Sequence, residues 1–267
     1  MNRPVEEDVR AFYDQEGWVV SDGQIGEDRH FRFDDRDRGA YAAVVEDRAA
    51  ALLGQGETLL IAGSGDLPIS HMRAAEGFAT ITCLDISERA IAIAEKKLGD
   101  RVEGIVGSVL DRPVAEGSFD AALFAHVIYH IDVAQQAAAI RALLASVRPG
   151  GRVVVLTANA RAPAMLIQRF LKFLGLNRVL GLHKLYMEPQ SLSWWKQFED
   201  AAVVEITAHE VLSRNQTRAL LPVRALRPFV FSLAGRFETW TPGLARRLWS
   251  YVAVTLVKRP SDGYEAT

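Results

Sequence analysis

Residues 57–66 read Glu57-Thr58-Leu59-Leu60-Ile61-Ala62-Gly63-Ser64-Gly65-Asp66. Four apolar residues running into a glycine pair predict a buried strand that turns sharply at its carboxyl end. Glycine has no Cβ, so the chain there can turn tightly and approach a ligand closely. The next segment, Ala79-Thr80-Ile81-Thr82-Cys83-Leu84-Asp85, is rich in β-branched residues and predicts a second strand ending on a carboxylate. Asp85 lies 22 residues after Gly63.

The alternation continues outward. Ser87–Leu98 reads as a helix opened by a serine cap, and Val102–Gly107 as a third strand. Phe119–Ala125 is the fourth strand, and Val133–Val147 a helix stopped by Arg148-Pro149-Gly150-Gly151. Arg152–Leu156 is the fifth strand, and Ala40–Leu53 an amphipathic helix ahead of the first. After residue 160 the pattern breaks: residues 161–199 and 213–249 read as bulky helices and loops around Val203–Val211 and Tyr251–Lys258, the sixth and seventh strands. Short strands alternating with helices predict an α/β, doubly wound, Rossmann-like sheet of seven strands, mostly parallel, with helical cap insertions. The expected organisation is a lid and first helix over 1–50, a core over 51–160, and cap segments with the last two strands over 161–267. Within the lid, residues 26–39 read as a loop, with Phe12, Tyr13, Trp18, Phe31 and Phe33 as its scattered aromatics.

Composition narrows the function classes. The chain has 267 residues, 49% hydrophobic and 24% charged, which is globular and long enough to bury a large core. A single cysteine, Cys83, excludes a disulfide framework and a multi-cysteine metal site; inside a strand it reads as core. No apolar run approaches the ~18 residues of a spanning helix, and Met1–Arg10 lacks the apolar core of an export signal, so the expectation is a cytoplasmic chain without integral membrane association. The net charge of −2 hides a split: residues 1–50 carry 7 basic and 13 acidic groups, residues 161–260 carry 15 and 6. Attraction between an acidic lid and a basic cap is the first explanation, an anionic substrate the second.

In open α/β sheets ligands bind beyond the carboxyl ends of the strands, and a carboxylate after the second strand accepts hydrogen bonds from a ribose diol. Gly63, Gly65 and Asp85 together point to a nucleoside site. The bland readings are a simple strand-to-helix turn and a carboxylate capping the helix at Ser87. A dinucleotide site is disfavoured, since Pro68 stands where the third glycine of its fingerprint belongs.

The sequence resembles the class I S-adenosylmethionine-dependent methyltransferases over residues 57–156. The resemblance is carried by Gly63-Ser64-Gly65, by Leu84-Asp85-Ile86-Ser87, by Ser118-Phe119-Asp120 with the segment Ala125-His126-Val127-Ile128-Tyr129-His130-Ile131, and by Arg148-Pro149-Gly150-Gly151. The chain departs from the family at Ile61, where an acidic residue is frequent, at Leu67, where a third glycine is frequent, and at Ser108, where an aspartate is common. Asp111, three residues on, is out of place to substitute. The resemblance implies a sheet whose last strand is antiparallel, S-adenosyl-L-methionine as cofactor, and an activity of class 2.1.1. It places Gly63, Ser64 and Gly65 under the methionine part, Asp85 on the ribose hydroxyls and Ile86 on adenine. Ser108 and Val109 fall at the adenine edge, Ala125 and His126 near the sulfonium, and Tyr13 or Tyr41 over the amino-acid end.

A sulfonium methyl is already activated, so positioning of an acceptor supplies much of the rate, and a hydroxyl acceptor gains from a base. His130, with His126 as alternative, is the candidate base, and the catalytic candidates are His130, His126 and Tyr129. Packing or supporting roles for both histidines stand beside this. Their spacing of four has no third ligand nearby, so no metal is expected. Trp194, Trp195 and Phe198 read equally as a wall of an acceptor pocket or as packing of the cap. The expected acceptor is a bulky, partly apolar small molecule such as a natural-product, sugar or quinone-like hydroxyl. N- or C-methylation, a non-methylating protein on the same scaffold, and a nicotinamide-dependent oxidoreductase are the rivals. No nucleic-acid partner is expected, for the chain is not basic overall. A membrane-surface role through Leu166–Gly175 is a weaker reading. The acceptor's identity and the oligomeric state are not written in these motifs.

Overall fold

Seven strands, β1 (Gly56–Ala62), β2 (Phe78–Asp85), β3 (Val102–Val106), β4 (Phe119–Ala125), β5 (Val147–Ala158), β6 (Ala202–Glu210) and β7 (Tyr251–Lys258), form one sheet in the order β3-β2-β1-β4-β5-β7-β6. The computed structural model describes residues 4–17, 20–21, 24–25, 38–111, 113–175, 185–213, 216–217 and 220–260. The first five strands run parallel, and β7 lies antiparallel between β5 and β6. A separate two-residue pair joins Val20–Ser21 to Gln24–Ile25. Strand order reverses between β1 and β4, which makes the carboxyl ends of these strands the crevice of the fold.

The helices are α1 (Pro4–Phe12), α2 (Ala40–Leu53), α3 (Ile69–Glu76), α4 (Glu88–Leu98), α5 (Gln136–Ser146), α6 (Pro163–Phe173), α7 (Arg227–Trp240) and α8 (Pro242–Leu248). Successive strand side chains point to opposite faces, and β1 divides accordingly. Leu60 and Ala62 enter one core with Phe124, Leu143, Trp195 and Phe198. Leu59 and Ile61 enter the other with Leu53, Ala74, Ile81 and Ile91. A strand covered on both faces must be apolar throughout, which is why Leu59–Ala62 carries no polar residue. Each such buried Leu or Ile contributes about 1.5–3 kcal/mol. Helix α4 starts where Ser87 Oγ accepts the N–H of Ala90 at 3.3 Å, and it ends at Gly99, whose φ of +61° suits glycine.

The turn Arg148–Gly151 does more than end a helix. It lies inside the continuous strand β5, as a bulge between the pairings Val147–Phe119 and Arg152–Ala121. A Cβ on Gly151 would meet the carbonyl oxygens of Arg148 and Asp120 at 2.8 and 2.9 Å, so only glycine fits. Asp120 is structural too: it accepts the N–H groups of Glu57 and Thr58 and pairs with Arg148 at 2.9 Å, tying β1, β4 and β5 together.

The cap consists of two insertions. Residues 159–201, between β5 and β6, contain α6 and the short helix Leu192–Phe198, and residues 211–250, between β6 and β7, contain α7 and α8. Trp195 and Phe198 are fully buried in the sheet core, and Trp194 packs partly buried against it. The packing reading of these aromatics therefore holds, not the pocket wall. Residues 26–37, with Phe31 and Phe33, and Trp18 lie outside the described residues. Among the described residues the front-to-back ion pairs are Arg38–Glu210 at 2.8 Å and Arg48–Glu238 at 2.5 Å. No described helix is long and apolar enough to cross a membrane.

Candidate active site

A cleft of about 1000 Å³, counting its open mouth, lies at the carboxyl ends of β1, β2 and β4. Gly63, Ser64 and Gly65 form its floor; Asp85, Ile86, Ser108, Val109, Ala125, His126 and His130 complete the walls. All these positions, chosen from sequence, converge on one cavity. Tyr129 does not line it: at 5% exposure it belongs to the sheet core, with its ring 4.6 Å from that of His130. Tyr41 is also elsewhere, stacked on Phe231, whereas Tyr13 lines the cleft. Cys83 is buried, and burial pushes its thiol up to about 12.

The glycine turn is built for close approach. Gly63 has φ +65°, and a Cβ there would meet Val127 Cγ2 at 2.3 Å. The turn aims the Gly65 N–H at Asp85 Oδ2, 2.9 Å away, while Asp85 Oδ1 accepts the N–H of Ser87 at 2.9 Å. Each carboxylate oxygen keeps further acceptor capacity. Burial raises the pKa of Asp85, opposed by backbone N–H bonds from Gly65, Ser87 and Ile86. Two of the three departures from the family pattern have plain structural readings. Ile61 is wholly buried in the sheet core, and Leu67 itself takes the left-handed conformation, φ +53°, that a glycine would hold more easily.

The third departure is answered from elsewhere in the chain. Ser108 Oγ donates to Glu6 Oε1 at 2.5 Å, so a carboxylate missing after β3 is supplied by α1. Asp111 does not line the cleft. Helix α1 is fixed over the mouth by a second bond, from Ser87 Oγ to Asp14 Oδ1 at 2.5 Å just beyond its end, and Tyr13 meets the His130 ring edge-on at 6.3 Å.

The two histidines differ. His130 Nδ1 lies 2.7 Å from the carbonyl oxygen of Tyr186. A carbonyl only accepts, so Nδ1 carries the proton and Nε2 keeps the free lone pair. Burial lowers the pKa of His130 to about 4, so the ring is neutral at pH 7. His126 is strained, with φ +62° in a non-glycine residue, a conformation that concentrates at functional sites. Its ring is 5.2 Å from Tyr251 and 6.1 Å from His209. His209 sits at a register shift in β6, where Arg48 donates to its carbonyl oxygen. His71 also lines the cleft and is held neutral by burial, its pKa lowered to about 3. Glu6, His71, Tyr186 and His209 carry no local sequence signal, because each reaches the site through long-range packing. No group of three or more metal-ligating side chains occurs among the described residues.

Residues 60–155 match the family model described as a methyltransferase domain. Over these residues the chain carries a methyltransferase domain. Around this domain the whole fold is shared with solved structures. Geranyl diphosphate C-methyltransferase from Streptomyces coelicolor A3(2) is similar at a TM-score of 0.61 and 14% identity, over 97% of this chain and 100% of that one. The 1,6-didemethyltoxoflavin-N1-methyltransferase of Burkholderia thailandensis gives 0.56 and 16%, over 97% and 92%. The N-methyltransferase NodS of Bradyrhizobium japonicum WM9, in complex with S-adenosyl-l-homocysteine, gives 0.53 and 15%, over 88% and 96%. These likenesses show the fold. A search of curated protein sequences finds no match to the chain. The donor set of the domain's cleft fits S-adenosylmethionine: a glycine turn with no room for a Cβ, a buried carboxylate, an apolar residue after it, and a hydroxyl backed by a carboxylate.

Proposed function

We propose that this protein transfers the methyl group of S-adenosylmethionine to a hydroxyl of a small, partly apolar acceptor. The observation that carries the reading is the fixed, neutral ring of His130 on the cleft wall, with its one free lone pair on Nε2. Bound S-adenosylmethionine supplies an electrophilic methyl on a sulfonium. In this reading Gly63, Ser64 and Gly65 pass beneath its amino-acid part, and Asp85 accepts from the ribose hydroxyls. Ile86 and Val109 pack on the base, and Ser108 with Glu6 meets its polar edge. Ala125 and His126 face the reacting centre.

The chain's own work is to align the acceptor and take its proton. Tyr186 holds the His130 ring through Nδ1–H, and the proton of the acceptor hydroxyl passes to Nε2 as the oxygen attacks. A base matched to the operating pH contributes about 10²–10⁴-fold; burial lowers His130 to about 4, which puts it at the low end of that range. Tyr13 and α1 cover the mouth and limit water, which strengthens the polar contacts inside. Carbon and nitrogen acceptors are the competing readings, since methyl transfer to a neutral amine nitrogen needs no base in the attacking step.

The test has two steps. Calorimetry with adenosylhomocysteine is expected to show binding that Asp85→Ala weakens at least tenfold. Transfer from methyl-labelled S-adenosylmethionine to a panel of phenols, sugars, amines and carbon acids then reads the acceptor atom. No binding at high micromolar concentration, with no effect of Asp85→Ala, would sink the cofactor assignment. Labelling of amines or carbons alone would move the reading from oxygen.

A further inference from the structure

Helix α7 is apolar on two faces. Its inner face buries Phe231 and Ala234, with Phe231 stacked on Tyr41. Its outer face carries Phe229, Leu233 and Trp240, one stripe at helical spacing that starts from Leu226 just before the helix, with Phe229 69% and Trp240 79% exposed. The stripe continues onto α8 with exposed Leu244 and Leu248. Scattered exposed leucines are ordinary, but a helix that is apolar all round is normally covered on all sides. A continuous outward stripe of this kind marks a contact surface.

Charge identifies what covers it. Residues 213–250 contain seven arginines, no lysine and one acidic residue, Glu238. That one carboxylate turns inward, to Arg48 at 2.5 Å and to the Trp249 indole N–H at 3.0 Å. Arg236, exposed, falls inside the apolar stripe between Leu233 and Trp240, and Arg246 and Arg247 are exposed on α8. A second copy of the same surface would bring the same positive charge against itself. An anionic surface is attracted instead. Arginine next to tryptophan, phenylalanine and leucine on a helix too short to span matches the interfacial zone of a bilayer. Helix α6 repeats the pattern, with Phe170 and Phe173 exposed on the face opposite Gln168, which Gln216 binds at 3.2 Å.

We infer that the outer face of α7 and α8 docks this protein on an anionic lipid bilayer. The juxtaposition of an exposed apolar stripe with the exposed Arg236, Arg246 and Arg247 carries the inference, which stands apart from the reading of the cleft. Apolar side chains enter the headgroup boundary, and the arginines remain at the phosphates.

The test is co-sedimentation of the full chain with vesicles of phosphatidylglycerol and phosphatidylcholine in equal parts, against phosphatidylcholine alone. Binding to the anionic vesicles is expected to be at least tenfold stronger and to blue-shift tryptophan emission. The pair Leu233→Ser with Trp240→Ser should reduce binding about tenfold or more. The pair Arg236→Gln with Arg247→Gln should reduce it about fivefold per arginine and flatten its salt dependence. Thermal unfolding of each variant checks that the fold is kept. No sedimentation with anionic vesicles overturns the inference, as does binding unmoved by Leu233→Ser with Trp240→Ser. A solution dimer broken by the same substitutions, or binding to duplex nucleic acid without binding to vesicles, also overturns it.

Discussion

The Nδ1 atom of His130 and the carbonyl oxygen of Tyr186 are 2.7 Å apart, across 56 residues of chain. The contact joins the end of the β4 loop to the approach of the Leu192–Phe198 helix and sets which nitrogen of the ring is basic. If that nitrogen takes the acceptor's proton, His130→Gln lowers kcat by about 10²-fold, the low end for a base because burial holds its pKa near 4. Affinity for adenosylhomocysteine should change less than threefold. Single-turnover kinetics beside calorimetry separates the two. An undiminished kcat would assign the base to His126 or to none.

Three buried histidines are held neutral in the fold: His130 near 4, His71 near 3, and His209 well below its ordinary value, each chiefly by burial. The unfolded chain protonates each near pH 6.5. Between about pH 6.5 and 4 the unfolded state therefore binds more protons, and stability falls as pH falls. Each site contributes at most roughly 1.4 kcal/mol per pH unit in that window. Urea unfolding at pH 5 and pH 7 measures the slope, and His130→Gln should reduce it by about one proton.

Gly63→Ala and Gly99→Ala form a matched pair. Both glycines have φ near +60°, but a Cβ at Gly63 meets Val127 at 2.3 Å while one at Gly99 meets nothing within 4 Å. Gly99→Ala is expected to cost about 1 kcal/mol from backbone conformation alone. Gly63→Ala should cost more, by roughly 1–3 kcal/mol of overpacking, and should weaken adenosylhomocysteine. Denaturant midpoints and calorimetry give both numbers; equal costs would refute the steric role of Val127.

Trp195 is buried to 1% exposure among Phe198 and the sheet residues. Trp195→Ala should destabilise the protein by about 3–5 kcal/mol. At a temperature where the variant stays folded, affinity for adenosylhomocysteine should be unchanged within a factor of three. A large affinity loss in the folded variant would return Trp195 to the ligand's surroundings.

Replacing Glu6 by Gln keeps the shape of the contact to Ser108 but removes its charge. The expected result is a three- to tenfold weaker binding of adenosylhomocysteine with stability unchanged within about 0.5 kcal/mol. An unchanged affinity would leave Glu6 as a tether of α1 only.

The seven strands in their order, and the floor of the cleft, were legible in the sequence; helices α1 and α3 were not. Apolar runs, β-branched strands, a serine cap and glycine turns are local signals, and each acts within a few residues of where it stands. Gly63, Gly65 and Asp85 were legible because the ends of consecutive parallel strands meet at one edge. The same local logic read Arg148–Gly151 as the end of a helix, which it is, but not as part of β5, since the residue that pairs with Val147 there is Phe119 in another strand. The contacts that needed the folded chain are long in sequence separation: Glu6 on Ser108, Tyr186 on His130, His209 beside His126, and Trp195 in the core. A hydrogen bond or ring contact between distant residues leaves no periodic trace in either segment. It exists because the sheet order and the two cap insertions bring those segments to one edge, where burial then fixes the charge of each group.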